Sequence, residues 1–425
     1  MRAKKSRRAP GRTAAWVAAI ALSLSLLGGI AVAGAGAASL CQQLRQRLVA
    51  GGGTASGLFV LEADTGKPLC RRAAARQRPL ASNTKLFTTA TALGRLGPES
   101  RIATRVLASG SIDVTGTLHG SLYLQGGGDP TLGAPAFYDR FLGGFGTNLF
   151  TLASQLHAAG IRAVTGRLYA DDTIFDRLRG VADSGYATSP YIGPLSGLAF
   201  NAGYSSAGAG SFAADPAKAA ARALVRSLRK NGVRVAQRVA LAAAPAASEQ
   251  LAVVRSPTVD RIAGATNVPS NNFFAETLLK LLGARFGGAG TTSAGTGVVE
   301  QFAAAHNSRV HAVDGSGLTR SNRASPAQIV RFLQAMRSDE VGEDFIHSLA
   351  IAGREGTVAS RMHGTAAEGR CRTKTGTLTG VSNLSGYCFN RSGKVMIFSI
   401  LMGGVRSLTL AHREQDLIAA AIASF

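Results

Sequence analysis

Three short polar runs could together make a nucleophilic site. Ser82-Asn83-Thr84-Lys85 opens an apolar stretch, Leu86 to Leu96, that reads as a helix. Serine and lysine three apart at a helix start share one face, with the positive end of the helix dipole behind both. A serine is a weak nucleophile alone, but a partly desolvated lysine that has shed its proton can serve as its base. Downstream, Ser270-Asn271-Asn272 stands just before a second helical stretch, where a cleft-lining loop belongs, and Lys374-Thr375-Gly376 lies on a predicted strand. Ser270 and Asn272 offer a hydroxyl and an amide, while Lys374 with Thr375 and Thr377 offers a charge and two hydroxyls for a carboxylate. Gly376 leaves room for a close backbone approach, which the sequence reading assigns to a substrate. Each run alone also fits a plainer role as a capped helix, a polar turn or a strand lysine in water. Their order, and their placement on a helix start, a loop and a strand, point to chemistry.

Several elements must hold these groups. Leu40 to Val49 is a short helix candidate, and Leu58–Glu62 with Pro68–Arg72 reads as a hairpin turning at Asp64-Thr65-Gly66-Lys67. From about Glu99 the texture changes to short β-like runs broken by glycine, at Ile102–Leu107, Gly120–Gln125 and Ile161–Tyr169, with a smaller helical piece near Pro216–Asn231. Helical periodicity returns over Asn272–Leu282, Val299–Ala305 and Pro326–Met336. Arg370–Thr377, Val381–Phe389 and Val395–Met402 read as a three-stranded meander, and a helix from about Thr409 to Ala423 finishes the chain. The expected class is α+β: an antiparallel sheet flanked by helices, built from residues 38–98 and 256–425, with a mainly β insertion over 99–255.

At 425 residues the chain can bury a large core in two or more domains. Its formal net charge is +23, and +17 once the six basic residues of positions 1–37 are set aside. Such a charge favours anionic surroundings: nucleic acid, a membrane surface or an anionic cell-wall polymer. The basic residues are scattered and aromatics are not interleaved with them, which argues against nucleic acid as a partner. Arg2, Lys4, Lys5, Arg7, Arg8 and Arg12 precede an uncharged apolar run from Ala14 to about Ala33, followed by A-x-A-like sites. Residues 1–37 therefore read as a signal peptide or an N-terminal membrane anchor, and the protein as exported to the periplasm or cell envelope. An oxidising compartment makes the four cysteines two disulfides, with three pairings open. Cys41–Cys70 and Cys371–Cys388 are preferred, since each closes a short local loop and the second pair flanks a hairpin. No metal is expected, because neither C-x-x-C nor H-E-x-x-H occurs and the seven histidines are dispersed.

In this order, S-x-x-K, S-x-N and K-T-G are the signature of penicillin-interacting serine enzymes. The chain resembles one group of these, the S13 peptidases, class C low-molecular-mass penicillin-binding proteins with D-alanyl-D-alanine carboxypeptidase and endopeptidase activity. The resemblance covers nearly the whole exported part. It includes Gly128-Asp129-Pro130-Thr131-Leu132, Asp171 to Asp176, Leu198-Ala199-Phe200-Asn201, Asp314 to Arg320, Ala352 to Thr357 and Lys374 to Gly386. It implies a β-lactamase/transpeptidase-like fold, no cofactor, and peptidoglycan peptides and β-lactam antibiotics as partners. It also implies Ser82 as nucleophile, Lys85 as its base, Ser270 as a proton relay and Asn272 as a holder of the substrate amide. Lys374, Thr375 and Thr377 would bind a carboxylate, and the backbone N–H groups of Ser82 and Thr377 would stabilise the oxyanion. Asn271 departs from the family's usual aspartate, and the insertion is somewhat short for the family.

A serine β-lactamase is the first alternative. The class A type needs a glutamate in an E-x-x-L-N run downstream of S-x-N, whereas Glu276 opens E-T-L-L-K on the S-x-N helix itself. The class C type has tyrosine where Ser270 stands. A Ser-His-Asp hydrolase is weaker still, since G-x-S-x-G is absent. A non-catalytic cell-wall-binding protein on the same fold is the third reading. Gly364–Arg370 imitates a P-loop with arginine for its lysine and reads as a surface loop.

Overall fold

A computed structural model describes residues 39–425, so the signal or anchor expected over 1–37 lies outside the described residues. The chain closes on itself through one six-stranded antiparallel sheet. Its spatial order is Ala350–Ile351, Cys371–Leu378, Val381–Phe389, Val395–Gly403, Gly57–Glu62, Pro68–Arg72. The N-terminal hairpin and the C-terminal meander thus join along Gly57–Glu62 and Val395–Gly403, in a register that sets Gly57 opposite Leu401 and Glu62 opposite Met396. Both of these strands are almost wholly buried and read as nearly unbroken apolar runs, as strands covered on two faces do. Alternation divides their side chains: Phe59 and Leu61 enter one hydrophobic core, Leu58 and Val60 the other.

The second of these cores lies under the helix over 39–52 and the C-terminal helix Leu408–Ser424. The first surrounds helix Thr84–Leu96, whose residues from Thr84 to Leu93 are all buried. Leu86, Phe87, Ala90 and Leu93 are fully enclosed there, and each large apolar side chain so buried contributes about 1.5–3 kcal/mol. Helices Asn272–Phe286, Thr292–Ala305 and Pro326–Arg337 complete the layer where the sequence periodicity placed them. Val259–Asn267 and Gly342–His347 are short helices that the sequence reading passed over.

Both preferred disulfides are formed. Cys371 and Cys388 are direct cross-strand neighbours with Cα atoms 4.0 Å apart. Cys41–Cys70 ties the 39–52 helix to the edge strand Pro68–Arg72.

Between the two parts of this sheet, the chain builds a second one. Its order is Val239–Leu241, Leu168–Asp171, Thr117–Gln125, Arg101–Ile112, Glu249–Thr258. A long antiparallel hairpin, Arg101–Ile112 with Thr117–Gln125, forms its middle, while Leu168–Asp171 runs parallel to both its neighbours. The stretch read as one strand over Ile161–Tyr169 is divided into Ala163–Val164 and Leu168–Asp171. Gly166 makes the close passage between them, since a Cβ there would lie 2.4 Å from the Gly120 carbonyl oxygen. Helix Pro216–Lys230, capped by Asp215, stands where a helical piece was expected, and Thr151–Ala158 adds one that was not. Leu152, Leu156, Leu224 and Leu228 pack with Val106, Leu122 and Leu124 into a hydrophobic cluster separate from the other two. Among the described residues no helix is long and apolar enough to cross a membrane.

Candidate active site

Ser82 sits on a single 3₁₀ turn, Ala81–Asn83, that feeds directly into helix Thr84–Leu96. Ala81 has φ 46°, a left-handed conformation disfavoured for an L-residue with a Cβ. Two glycines distant in sequence hold this turn. A Cβ on Gly317 (φ +88°) would lie 1.8 Å from the Ala81 carbonyl oxygen, and a Cβ on Gly376 would lie 3.1 Å from the Ser82 nitrogen. The sequence reading gave Gly376 the task of admitting a substrate backbone; here the backbone it admits is that of the nucleophile turn itself. Asn83 fastens the same turn to the K-T-G strand, donating from Nδ2 to the Lys374 carbonyl (3.0 Å) and accepting at Oδ1 from Ser385 Oγ (2.7 Å).

Lys85 lies one turn on, fully buried. Its Nζ donates to Ser82 Oγ at 3.0 Å, to Asn272 Oδ1 at 2.7 Å and to the Ser316 carbonyl at 2.6 Å. Burial holds its pKa down to about 7 from an ordinary 10.5, while the charges of Glu276 and Asp314 pull the other way. An amine near neutrality, in contact with a serine hydroxyl, is suited to accept that hydroxyl's proton.

The S-x-N run enters the site from the start of helix Asn272–Phe286. Asn271 Oδ1 accepts the Phe274 N–H and caps the helix, a task asparagine and aspartate perform about equally well. Asn272 Oδ1 faces Lys85, and its Nδ2 donates to the Tyr191 carbonyl (3.1 Å). Ser270 (φ 62°) lines the same cleft, but among the described residues it forms no hydrogen bond with Ser82, Lys85 or Lys374.

Strand Cys371–Leu378 supplies the opposite wall with Thr375, Gly376 and Thr377. Lys374 differs from expectation. It is fully buried, is absent from the cleft lining, and its Nζ donates to the Thr375 carbonyl (3.2 Å). Burial first, then the neighbouring Lys85, hold its pKa well below the usual lysine range. Its side chain lies on the same strand face as Gly376 and its cross-strand neighbour Ser385, toward the nucleophile turn, where burial favours the neutral amine.

Thr357 links the walls. Its Oγ1 accepts from Thr375 Oγ1 (2.8 Å), and its N–H donates to the Val268 carbonyl beside Ser270 (3.2 Å). The cleft encloses about 700 Å³. Part of its rim comes from the middle of the chain: Val181, Asp183 and Tyr191 line it, and Asp183 accepts from Thr319 Oγ1 at 2.6 Å.

The structure thus brings Ser82, Ser270, Asn272, Thr375, Gly376 and Thr377 to the lining of one cleft, with Lys85 and Lys374 both buried beneath that lining. Sequence reasoning missed Glu276, Asp314, Ser316, Thr357 and the 181–191 rim. The Asp314 to Arg320 block could have signalled the first three, because a run with two glycines and an aspartate is where backbone N–H groups gather around a carboxylate.

Comparison with known proteins gives the same picture from a different direction. The sequence profile of the D-Ala-D-Ala carboxypeptidase 3 (S13) family matches residues 40–213 and 206–424. A D-alanyl-D-alanine carboxypeptidase of Actinomadura sp. (strain R39) is 32% identical over an alignment that covers 88% of this chain and 82% of the relative. That alignment runs to 456 positions, so the relative carries segments this chain lacks. Penicillin-binding protein 4 of Haemophilus influenzae superposes with a TM-score of 0.75 at 20% identity, covering 91% of this chain and 99% of that one, and it has also been solved in complex with a β-lactam. A predatory peptidoglycan endopeptidase of Bdellovibrio bacteriovorus superposes with a TM-score of 0.56 at 19% identity, covering 86% of this chain and 92% of that one. The structural likenesses bear out the β-lactamase/transpeptidase-like sheet with its flanking helices. Because the sequence matches run through the motif-bearing stretches and the segment between them alike, the chain belongs to the S13 family of D-Ala-D-Ala carboxypeptidases.

Proposed function

We propose that this protein is a serine DD-peptidase that trims peptidoglycan stem peptides. The observation that carries the reading is Lys85 Nζ lying 3.0 Å from Ser82 Oγ in a buried site that favours the neutral amine. Ser82 Oγ adds to the carbonyl of the penultimate D-alanine, or of a D-alanine cross-linked to meso-diaminopimelate, while Lys85 takes the hydroxyl proton. The oxyanion rests on the N–H groups of Ser82 and Thr377. Collapse breaks the peptide C–N bond, the leaving amine takes a proton through Ser270, and acyl-Ser82 remains. Water then hydrolyses the ester. Thr375 and Thr377 receive the terminal carboxylate, whose negative charge favours a proton on the buried Lys374 beside them, and Asn272 holds the substrate amide. The reaction uses protein groups and water alone.

A β-lactam presents a strained amide to the same serine. The test is the intact mass of the exported part incubated with excess benzylpenicillin, alongside Ser82→Ala. One lasting penicillin adduct, absent from the variant, is the expected result. Rapid drug hydrolysis without an adduct would mean a β-lactamase, and neither adduct nor hydrolysis would mean a binding protein on this fold.

The six-stranded sheet, drawn from both ends of the chain, supports residues 38–98 and 256–425 as the catalytic unit and 99–255 as the insertion, with strand Glu249–Thr258 running across the later bound and Phe175, Val181 and Ile192 of the insertion packed in the catalytic core. A cell-wall substrate places the work in the periplasm or outside the cell, where residues 1–37 would deliver the protein and release it or keep it tethered. The basic surface would favour an anionic cell-wall polymer or membrane surface over nucleic acid. Binding to an anionic wall polymer should weaken several-fold between low and physiological salt, read by cosedimentation; salt-independent binding would count against it.

A further inference from the structure

Beneath Lys85 lies a buried acidic layer that the reaction above does not use. Glu276 and Asp314 are both fully enclosed, and the loop over 314–322 is wound around them. Glu276 Oε1 accepts the Ser316 N–H at 2.7 Å, and both of its oxygens accept the Gly315 N–H at 3.1 Å. Asp314 accepts the Gly317 N–H (2.6 Å), the Thr319 N–H (2.9 Å) and Asn322 Nδ2 (2.7 Å). The peptide between Ser316 and Gly317 is therefore held at its N–H end by Asp314, and its carbonyl end receives Lys85 Nζ at 2.6 Å. Glu276 grips the two preceding N–H groups, so the carbonyl that meets Lys85 has little freedom to turn. A helix glutamate whose carboxylate makes three contacts to a single loop, all from backbone N–H groups, has a local task.

Charge gives it a second one. The groups facing this layer are Lys85 from the nucleophile helix, Lys374 from the K-T-G strand beyond Lys85, and Asp314 from the loop. Lys280 stands one turn along the same helix, paired to Asp176, with Arg179 beyond it. Burial and the neighbouring Asp314 push the Glu276 carboxyl up to about 7, against hydrogen bonding by Ser316 and the Gly315 N–H, which favours its charge. Glu276 and Lys85 thus change protonation over the same range, and an ionised Glu276 favours a charged Lys85.

We propose that Glu276 is a positioning residue for Lys85, fixing the Ser316 carbonyl against its amine and setting the pH at which that amine becomes free to act as a base. This rests on the Ser82–Lys85 reading given above. Removing the negative charge makes Lys85 easier to deprotonate, so the acid limb of the acylation profile must move to lower pH.

The experiment is the second-order rate of benzylpenicillin acylation, read by intact mass across pH, for wild type, E276Q and E276D. The limb of E276Q should fall by about one pH unit or more, the scale on which a neighbouring charge acts. E276D keeps the charge on a shorter arm and should be slower, with its limb near that of wild type. An E276Q limb that stays in place, rises, or drops by one factor at every pH would overturn the proposal. Should E276Q fail to fold, infrared titration of Ser82→Ala protein carrying isotope-labelled glutamate decides. Labelled glutamates that are ionised over the pH range where wild-type acylation rises, or become so within it, support the proposal, and a protonated glutamic carbonyl band that persists above that range overturns it. A penicillin adduct that survives Ser82→Ala overturns both this and the nucleophile reading, whereas an unmoved limb with an intact Ser82 adduct overturns only this.

Discussion

Lys85→Met is expected to slow acylation of Ser82 by about 10²–10⁴-fold, the range general acid–base catalysis supplies, or about 3–5 kcal/mol of barrier. Methionine is close to lysine in length and suits a fully buried position, so the packing of helix Thr84–Leu96 is kept while the amine is lost. Ser82 Oγ, Asn272 Oδ1 and the Ser316 carbonyl each lose a donor at once. Stability should respond to pH as well. Lys85 has a folded pKa of about 7 against 10.5, so between these values the unfolded chain binds the extra proton and wild-type stability rises with pH. Glu276 acts in the window below. With its pKa raised from 4.5 to about 7, the folded chain binds the extra proton there and stability falls as pH rises. Lys374, also lowered, adds to the rise in the alkaline window. Lys85→Met should therefore show a reduced gain in melting temperature from neutral to alkaline pH, measured beside the acylation rate. An acylation rate within tenfold of wild type would place the base elsewhere.

Gly317→Ala should disable the nucleophile without touching a reacting atom. The new methyl would lie 1.8 Å from the Ala81 carbonyl oxygen and 2.9 Å from the Ser82 nitrogen. Both are backbone atoms, so no side chain can swing aside. Ala81 is already in a left-handed conformation and its carbonyl accepts from Thr84 Oγ1 (2.9 Å), which leaves the turn little room to yield. The control is Gly393→Ala, which also has positive φ (+78°) but meets nothing within 4 Å. That variant should cost about 1–2 kcal/mol from conformation alone and acylate at the wild-type rate. Gly317→Ala should melt lower than the control and acylate at least about tenfold more slowly, the effect of a misplaced reacting group. Equal behaviour of the two variants would show that the clash is absorbed and that the turn is softer than described.

The amino-acid sequence made the frame of this site readable because each motif announces its own local structure. A serine and lysine at a helix start, an asparagine pair ahead of a helix and a K-T-G on a β-run are patterns carried by neighbours in the chain, and their elements formed where expected. What the sequence hid depends on burial and on approach between distant segments. Glu276 looks like any charge on a helix until the 314–322 loop is seen to close over it. Lys374 reads as a cleft lysine because its motif lies on the wall, yet its side chain is wholly buried beneath the lining, near Lys85. Gly376 announces a close approach but not what approaches. The helix Thr151–Ala158 escaped notice because eight residues carry little periodicity, and its stability comes from the sheet beneath it.

The cleft rim has an origin different from its chemistry. Ser82, Lys85, Asn272 and the K-T-G strand belong to the six-stranded sheet and its helices, while Val181, Asp183 and Tyr191 arrive from the stretch between them. The two are joined by hydrogen bonds, Asn272 Nδ2 to the Tyr191 carbonyl and Thr319 to Asp183 among them, and by a shared core in which Val181 and Ile192 lie in one hydrophobic cluster with Phe273 and Leu278. The outward-facing part of the rim, Tyr191 above all, stands clear of that core, so it can vary where Val181 cannot. Changes at Tyr191 would alter which peptide is admitted while leaving the acylating machinery intact, whereas changes in the machinery would slow every substrate. A lineage with this layout could adjust the peptide it admits through the exposed side chains of that rim, with the reaction itself held constant.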